Sequence, residues 1–263
     1  METKLRTTTV RPTHSHEIDY RICGTDIQYV EIELDPEETV VAEAGAMVFM
    51  DSGVQMNPRL SDGSHKNSGI LGGLVGIGKR LMTGESVFLT FFTNKTARKK
   101  RVAFSAPYPG MIIPLDMAQV GGSICCQRES FLCCAQGISV DVSFTKRINA
   151  GLFGGEGFIL QKLQGDGMAF IHAGGSIAER MLAEGETIYV DTGNIVGFQS
   201  SVDFNIQMVR GIKSIFFGKE GFFLGSLTGP GKVWVQSMPY KKLINNITVM
   251  VMEEAQRATK KKR

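Results

Sequence analysis

Three glutamates recur through this chain at a spacing that first suggests chemistry. Glu85, Glu156 and Glu220 each stand beside a glycine, and roughly 65–70 residues separate one from the next. Acid catalysis needs two carboxyl groups in different environments, one of them with a raised pKa. Copies of one repeated position share one environment. We therefore predict that these glutamates accept backbone N–H groups across turns, and we assign no catalytic residue.

His172 is the weak candidate for a polar site. It lies in the sequence FIHAGG, and the internal repeats place Ser105 and Gln236 at the same point. A polar residue recurring at one point of each repeat indicates a hydrogen bond at a strand end. A metal-binding or base role is the alternative, although the chain contains no H-E-x-x-H motif.

Two pairs of cysteines, Cys125–Cys126 and Cys133–Cys134, could suggest a metal or redox centre. Zinc ribbons use C-x₂-C spacing, and adjacent residues of a strand point to opposite faces of the sheet. We therefore predict small thiols packed between sheets, and no metal site.

The segment Gly73–Arg80 comes close to a phosphate-binding P-loop. A P-loop needs Ser or Thr after its lysine and a strand–loop–helix context. Here Arg80 follows Lys79, and the surrounding sequence indicates strands. We interpret the segment as a glycine-rich link and predict no cofactor.

The elements that must position these residues are internal repeats. The segment Gly154–Gly175 is repeated at Gly218–Pro239 and, more faintly, at Gly84–Pro107. A second block, Leu34–Met56, recurs at Met181–Phe204. The second block aligns Thr39 with Thr187, Val48 with Val196 and, to within one position, Phe49 with Phe198.

Short apolar runs with Gly or Pro punctuation predict an all-β fold of antiparallel strands, in small barrels or sandwiches. Three units are expected, over residues 1–108 (with a loose N-terminus), 109–177 and 178–240, followed by a C-terminal segment at 241–263. Within that last segment, Lys241–Ala258 favours either a short terminal helix or a last strand followed by one helical turn.

Apolar, glycine-rich links precede the Glu-containing strands. If the repeats surround a pseudo-threefold axis, the links emerge on one side and form an apolar, weakly basic face for a membrane or a protein partner. The alternative is that they plug barrel ends or fill a subunit interface. The candidate contact residues are Leu74, Ile77, Lys79, Arg80, Leu152, Phe153, Ile215, Phe216 and Phe217.

Composition narrows the function classes. The chain has 263 residues, 43% of them hydrophobic, and a formal net charge of +3, which gives little reason to expect nucleic acid. No secretory signal and no apolar run long enough to span a membrane is visible in the sequence. We expect a cytoplasmic protein with reduced thiols, either free or peripheral to a membrane.

Several strings, among them AEAGAMVFMD, GGEGFILQKLQGDGMAFIHAGG and GPGKVWVQSMP, resemble the uncharacterised bacterial family of domain of unknown function 124. Its fungal branch is named for altered inheritance of mitochondria. The resemblance covers about Ile18 to Ile244. It implies three units similar to the tryptophan-RNA-binding attenuation protein, of double-stranded β-helix type, and a homotrimeric ring of nine units. The family has no established catalytic activity.

These observations together predict a non-enzymatic oligomeric scaffold or binding protein. A small-ligand or RNA-binding ring is the alternative, and a hydrolase or metal enzyme using His172 is a third interpretation.

Overall fold

A computed structural model describes residues 14–43, 45–61, 87–146, 158–209 and 222–260. Within these ranges, antiparallel strands dominate and one α-helix follows them. The all-β prediction is confirmed. The strands are β1 Asp19–Cys23, β2 Tyr29–Leu34, β3 Thr39–Glu43, β4 Met47–Met50, β5 Val54–Ser61, β6 Val87–Asn94, β7 Lys100–Phe104, β8 Gly110–Asp116, β9 Ser123–Gln127, β10 Phe131–Ala135, β11 Ser139–Lys146, β12 Phe158–Gln164, β13 Met168–Gly174, β14 Ile177–Leu182, β15 Thr187–Asp191, β16 Ile195–Gln199, β17 Asp203–Val209, β18 Phe222–Thr228 and β19 Gly231–Gln236.

Alternation of apolar and polar residues explains why these segments are strands. In β2, Val30, Ile32 and Leu34 are fully buried, and Glu31 and Glu33 between them are partly exposed. Successive side chains of a strand point to opposite faces, so this pattern places one face of β2 on a core and the other near solvent.

The described strands form four sheets. The first has the order β1-β2-β7-β4, and the second has the order β5-β6-β3-β10-β13-β8. The third is β11-β12-β9-β16-β19-β14, and the fourth is β15-β18-β17. Adding six to each strand number of the second sheet gives the third sheet. Strands whose numbers differ by six are therefore equivalent, and the pairing pattern itself repeats.

Three apolar cores lie between successive sheets. The first core joins the first and second sheets, the central core joins the second and third, and the last core joins the third and fourth. Representative residues are Val30, Phe104, Val40 and Phe92 in the first core, Ile171, Cys134, Ile124 and Trp234 in the central core, and Val233, Phe198, Leu227 and Ile206 in the last core.

The second and third sheets each combine strands from two of the predicted units. β3 pairs with β10, and β9 pairs with β16, so the units share sheets across their boundaries. The division at residues 108, 177 and 240, and the closure of each unit into a barrel, stay predictions.

Helix α1 spans Tyr240–Lys260 and confirms the helical alternative for the C-terminal segment. Its first turn is fixed to the sheets. The Lys242 ammonium lies 2.9 Å from the Asp191 carboxylate, Lys241 pairs with Glu129, and the Tyr240 ring stacks on Tyr108 at 4.6 Å. From residue 246 to residue 255 every side chain is exposed.

Candidate functional site

Two strands break the repeating order, and both lie at sheet edges. β4 ends the first sheet, and β15 ends the fourth. Their equivalents lie inside sheets, where β10 pairs with β3 and β16 pairs with β9. Within the described ranges, neither β4 nor β15 has a strand on its outer side. Each is one half of a pairing that the chain makes twice elsewhere.

The registers of the two complete pairings agree residue by residue. Cys134 lies opposite Val41, and Phe198 lies opposite Cys125. A one-residue bulge interrupts β4, β10 and β16 at the same point, and this bulge fixes the alignment of the three strands. Met50 is therefore equivalent to Cys134 and Phe198.

The same alignment holds on the other strand of the pairing. Thr39 lies opposite Thr93 in β6, and Thr187 lies opposite Thr228 in β18. In both pairs the two hydroxyl oxygens are 2.8 Å apart. Tyr189, two residues beyond Thr187, is therefore equivalent to Val41 and Cys125.

Burial separates the two unmatched strands from their equivalents. All five residues of β10 are buried, and so are the first four of β16. All four residues of β4 are exposed although they read Met-Val-Phe-Met, and Val48 reaches 54% exposure. In β15, Tyr189 is 61% exposed, whereas its equivalent Val41 is 3% exposed. β4 and Tyr189 of β15 therefore expose apolar side chains at positions whose equivalents in β10 and β3 are buried.

His172 in β13 is 1% exposed, and its imidazole Nδ1 has no hydrogen-bond partner. The Tyr108 ring meets it edge-on at 4.7 Å. A Cβ on Gly110 would lie 2.7 Å from His172 Cε1, so glycine is required for this ring to pack against the strand. Burial lowers the pKa of His172 to about 4, and the imidazole is neutral at pH 7.

The predicted strand-end hydrogen bond is found at both equivalents of His172. The Ser105 hydroxyl donates to the Gln28 carbonyl, at 3.3 Å. The Gln236 side chain accepts from the Gly174 N–H at 2.7 Å and donates to the Gly193 carbonyl at 3.0 Å. At Nδ1, His172 lacks such a bond and relies on ring contacts instead.

Ionisable residues surround the Tyr108 ring on its other side. The Tyr108 hydroxyl donates to the Glu129 carbonyl at 3.0 Å, and burial raises the pKa of this phenol well above its usual range. Burial likewise raises the pKa of Glu43 to about 7, against the attraction of Arg128 and with repulsion from Glu129. The sequence reading missed Glu43, although an acid at the end of the apolar run Val40–Ala42 was the available signal.

The nine candidate contact residues of the links lie outside the described residues, as do Glu85, Glu156 and Glu220. The strands that flank the links are described. Glu43 lies opposite Leu89, Gln127 opposite Leu160 and Asp191 opposite Leu224, so β3, β9 and β15 end near the starts of β6, β12 and β18. The described strand ends that flank the three links are therefore of one kind, and the salt bridge from Lys242 to Asp191 places the root of α1 beside the end of β15.

The predicted burial of the thiols is confirmed for three of the four paired cysteines, and Cys125 is partly buried. Cys126, Cys133 and Cys134 are fully buried, and all five cysteines are free. Cys126 and Cys134 belong to the central core and Cys133 to the first core, so adjacent cysteines do face opposite sides. Among the described residues, no three His, Cys, Asp or Glu side chains are grouped to hold a metal ion.

The sequence profile of the family described as "Mitochondrial biogenesis AIM24" matches residues 20–238. The chain belongs to this family. An uncharacterized protein from Streptococcus pyogenes serotype M6 is 27% identical over 211 residues, which are 80% of this chain and 81% of that protein.

A crystal structure of a Streptococcus pyogenes protein matches the fold with a TM-score of 0.69. It is 24% identical, and the match covers 89% of this chain and all of that one. The predicted family is confirmed by the profile match over residues 20–238, and the structural match shows the fold. The likeness to the tryptophan-RNA-binding attenuation protein stays a prediction. In the part of the chain that is described, no helix is long and apolar enough to cross a membrane.

Proposed function

We propose that this protein is a non-enzymatic scaffold that joins head to tail with copies of itself, through β4 of one copy and β15 of the next, into a closed ring. The observation that carries the proposal is the sheet order. In the second sheet β5-β6-β3 is followed by β10-β13-β8, and in the third sheet β11-β12-β9 is followed by β16-β19-β14. The fourth sheet contains only the first half of this order, β17-β18-β15, so equivalents of β10, β13 and β8 would come next. The first sheet supplies those equivalents as β4, β7 and β2.

Equivalence fixes the register of the contact. Phe49 faces Val190 of the next copy, Met50 faces Tyr189 and Asp51 faces Ile188, because Cys133–Ala135 face Ala42–Val40 within the chain. One further backbone bond follows. The Gln136 N–H donates to the Thr39 carbonyl and the Ser200 N–H to the Ser123 carbonyl, both at 3.1 Å. We expect Ser52 to donate in the same way to Thr187 of the next copy.

Equivalence also assigns each side chain to a core. Leu132 and Cys133 of β10 belong to the first core, which lies on the side of the preceding unit. Val48 and Phe49 therefore enter the last core of the neighbouring copy. On the other side of the contact, Tyr189 enters the first core of the copy that supplies β4, where it lies beside that copy's Met50. Its equivalent Val41 enters the central core beside Cys134 in the same way.

A head-to-tail contact uses two different surfaces, and it closes into a ring when the rotation between copies allows it. Three chains of 28.7 kDa, about 86 kDa in all, are the stoichiometry we propose. Joining β4 to β15 removes two exposed apolar edges that would otherwise invite aggregation.

Cysteine pairs test both the contact and its register. The variant Met50→Cys with Tyr189→Cys places two thiols at opposed positions, where Cα atoms come within disulfide range. We expect oxidation to give covalent dimers and trimers on non-reducing gels. The matched control, Met50→Cys with Thr187→Cys, is two residues out of register, and we expect little cross-linking. A chain that light scattering finds monomeric, or equal cross-linking by both pairs, would refute the contact.

The ring would gather the strand ends that flank the links, and the roots of the helices, on one face, because rotation about the ring axis keeps equivalent ends together. We place contact with a membrane surface on this face, as the apolar links and the basic C-terminus favour. Flotation with anionic and neutral vesicles tests this part separately. A protein that stays unbound with both kinds of vesicle would remove the membrane contact and leave the ring untouched.

A further inference from the structure

A groove of about 390 Å³ opens between the outer edge of β8 and the strands β14 and β19. Its wall is the β8 segment Ile113–Asp116, and Met168 and Trp234 contribute apolar surface. Asp116, Glu179 and Lys232 provide the polar groups, and Tyr20 of β1 lines one side. Its volume lies near the lower end of the range found for ligand-binding clefts, and its lining is more polar than is usual for small-molecule pockets.

The equivalent place one unit earlier is already filled, by β1. Val30 lies opposite Phe104, and Ile113 lies opposite Ile171, which makes the β2 segment 30–33 equivalent to the β8 segment 113–116. β1 pairs along that β2 segment, with Tyr20 opposite Ile32. Along β8 no strand among the described residues takes this position, and the groove lies there instead.

The aromatic contact of β1 also has its counterpart at the groove. The Tyr20 ring meets the Phe170 ring edge-on at 4.9 Å. Phe170 is equivalent to Trp234. Ile171 lies opposite the first residue of β10, Val235 lies opposite the first residue of β16, and Phe170 and Trp234 each come one residue earlier. Tyr20 closes the margin of the first core over Phe170. The corresponding margin of the central core, at Trp234, is the floor of the groove.

We propose that this groove binds an extended peptide segment of a partner protein, which adds to β8 as β1 adds to β2. The peptide carries an aromatic residue opposite Leu115, in the role of Tyr20. It carries a basic residue opposite Asp116.

Charge and edge chemistry specify this occupant. The Glu179 carboxylate accepts from the Trp234 indole N–H at 3.1 Å and pairs with Lys232 at 3.1 Å. The Asp116 carboxylate accepts only from Gln119 among the described groups, and its backbone carbonyl accepts from the Val120 N–H. The two acids outweigh the one lysine and favour a cationic residue. In β1 the residue opposite the equivalent Glu33 is Asp19, and the Lys99 ammonium bridges the two carboxylates at 3.1 and 2.9 Å. A peptide on β8 would supply that positive charge itself, from a basic residue opposite Asp116.

The β8 edge limits how much backbone pairing the peptide can make. Gln28 already occupies its first part, donating its N–H to the Gly110 carbonyl and accepting from the Ile112 N–H. Pro114 has no N–H to offer. The remaining edge therefore pairs over a short stretch, and the aromatic anchor supplies most of the specificity. None of these strands takes part in the β4–β15 contact, so the inference does not rest on the proposed ring.

Trp234 is the single tryptophan of the chain, and its fluorescence reports on the groove. The probe is a peptide of residues 18–24 with Asp19→Lys and Cys23→Ser, which keeps Tyr20. We expect saturable binding that shifts the Trp234 emission, and about tenfold weaker binding when the peptide also carries Tyr20→Ala.

Two protein variants locate the binding. Asp116→Asn removes the charge and retains an oxygen for Gln119, and we expect it to weaken binding about tenfold. Asp203→Asn, on the distant strand β17, is the matched control and should bind as the wild type does. Absence of binding, or binding that neither Tyr20→Ala in the peptide nor Asp116→Asn in the protein weakens, would overturn the proposal.

Discussion

Leu132 and Val196 occupy the same position, the bulge of β10 and of β16, and both are buried, at 2% and 0% exposure. Each side chain packs in the core on the side of the preceding unit, Leu132 in the first core and Val196 in the central core. Val48 is the third member of this set and is exposed. Among the described residues, no strand pairs with β4 on its outer side, whereas β10 and β16 each have one there.

Val48→Asp should therefore abolish self-association and leave the folded chain intact. The aspartate is solvated in an isolated chain but would be buried without a partner in the β4–β15 contact, which costs several kcal/mol. Light scattering measures the loss as a shift to the mass of one chain. Met181→Asp is the control, because Met181 is 65% exposed on β14, away from the contact. Equal masses for the two variants would contradict the assignment of β4.

Glu43→Gln should stabilise the protein at pH 8 and leave it unchanged near pH 4.5. Burial raises the pKa of Glu43 from its ordinary 4.5 to about 7, so the unfolded chain releases this proton first. The wild type therefore loses stability as pH rises from 4.5 to 7. Glutamine removes that loss, worth about 2–3 kcal/mol. Urea unfolding at the two pH values measures it, and the same difference at both would rule out the buried carboxyl as the cause.

His172→Gln should remove a loss of folding stability that occurs as pH falls, whereas Glu43→Gln removes a loss that occurs as pH rises. Burial lowers the pKa of His172 from 6.5 to about 4, so the unfolded chain takes up the proton first on acidification. This stability is complete above pH 6.5 and is lost as pH falls towards 4, by up to about 3 kcal/mol. The variant should flatten that part of the curve while losing a pH-independent amount from weaker packing against Tyr108. A wild-type slope that survives in the variant would assign the acid sensitivity elsewhere.

Short apolar runs punctuated by glycine and proline allowed the all-β class to be predicted. The sequence alignment of Thr39 with Thr187 and of Val48 with Val196 agrees with the strand registers. Phe49 was aligned with Phe198 to within one position, and the register now places it with Gly197. A Cβ at Gly197 would lie 2.8 Å from the Cys125 carbonyl oxygen, so the sequence is constrained there by a strand of another unit.

The unmatched edges could not be predicted from sequence. Residues Met47–Met50 are as apolar as the buried β10, and nothing local distinguishes an inner strand from an edge strand. That difference arises because the strands pair across unit boundaries. The groove beside β8 was missed for a related reason, since its walls come from β8, β14 and β19 and from Tyr20.

Gln161→Met should stabilise the protein by about 1–3 kcal/mol at any pH. Gln161 is fully buried in β12 between Cys126 and Val142, and neither its amide nitrogen nor its oxygen has a hydrogen-bond partner. On folding, the amide N–H and oxygen lose their hydrogen bonds to water and form none within the protein. Methionine has nearly the same volume and buries no such polar group. Gln236→Met is the matched control, because the Gln236 side chain bonds to Gly174 and Gly193. The control should lose about 2–3 kcal/mol by leaving a buried N–H unpaired. If both variants lose stability by similar amounts, Gln161 has a partner in solution and its burial is not the cost calculated here.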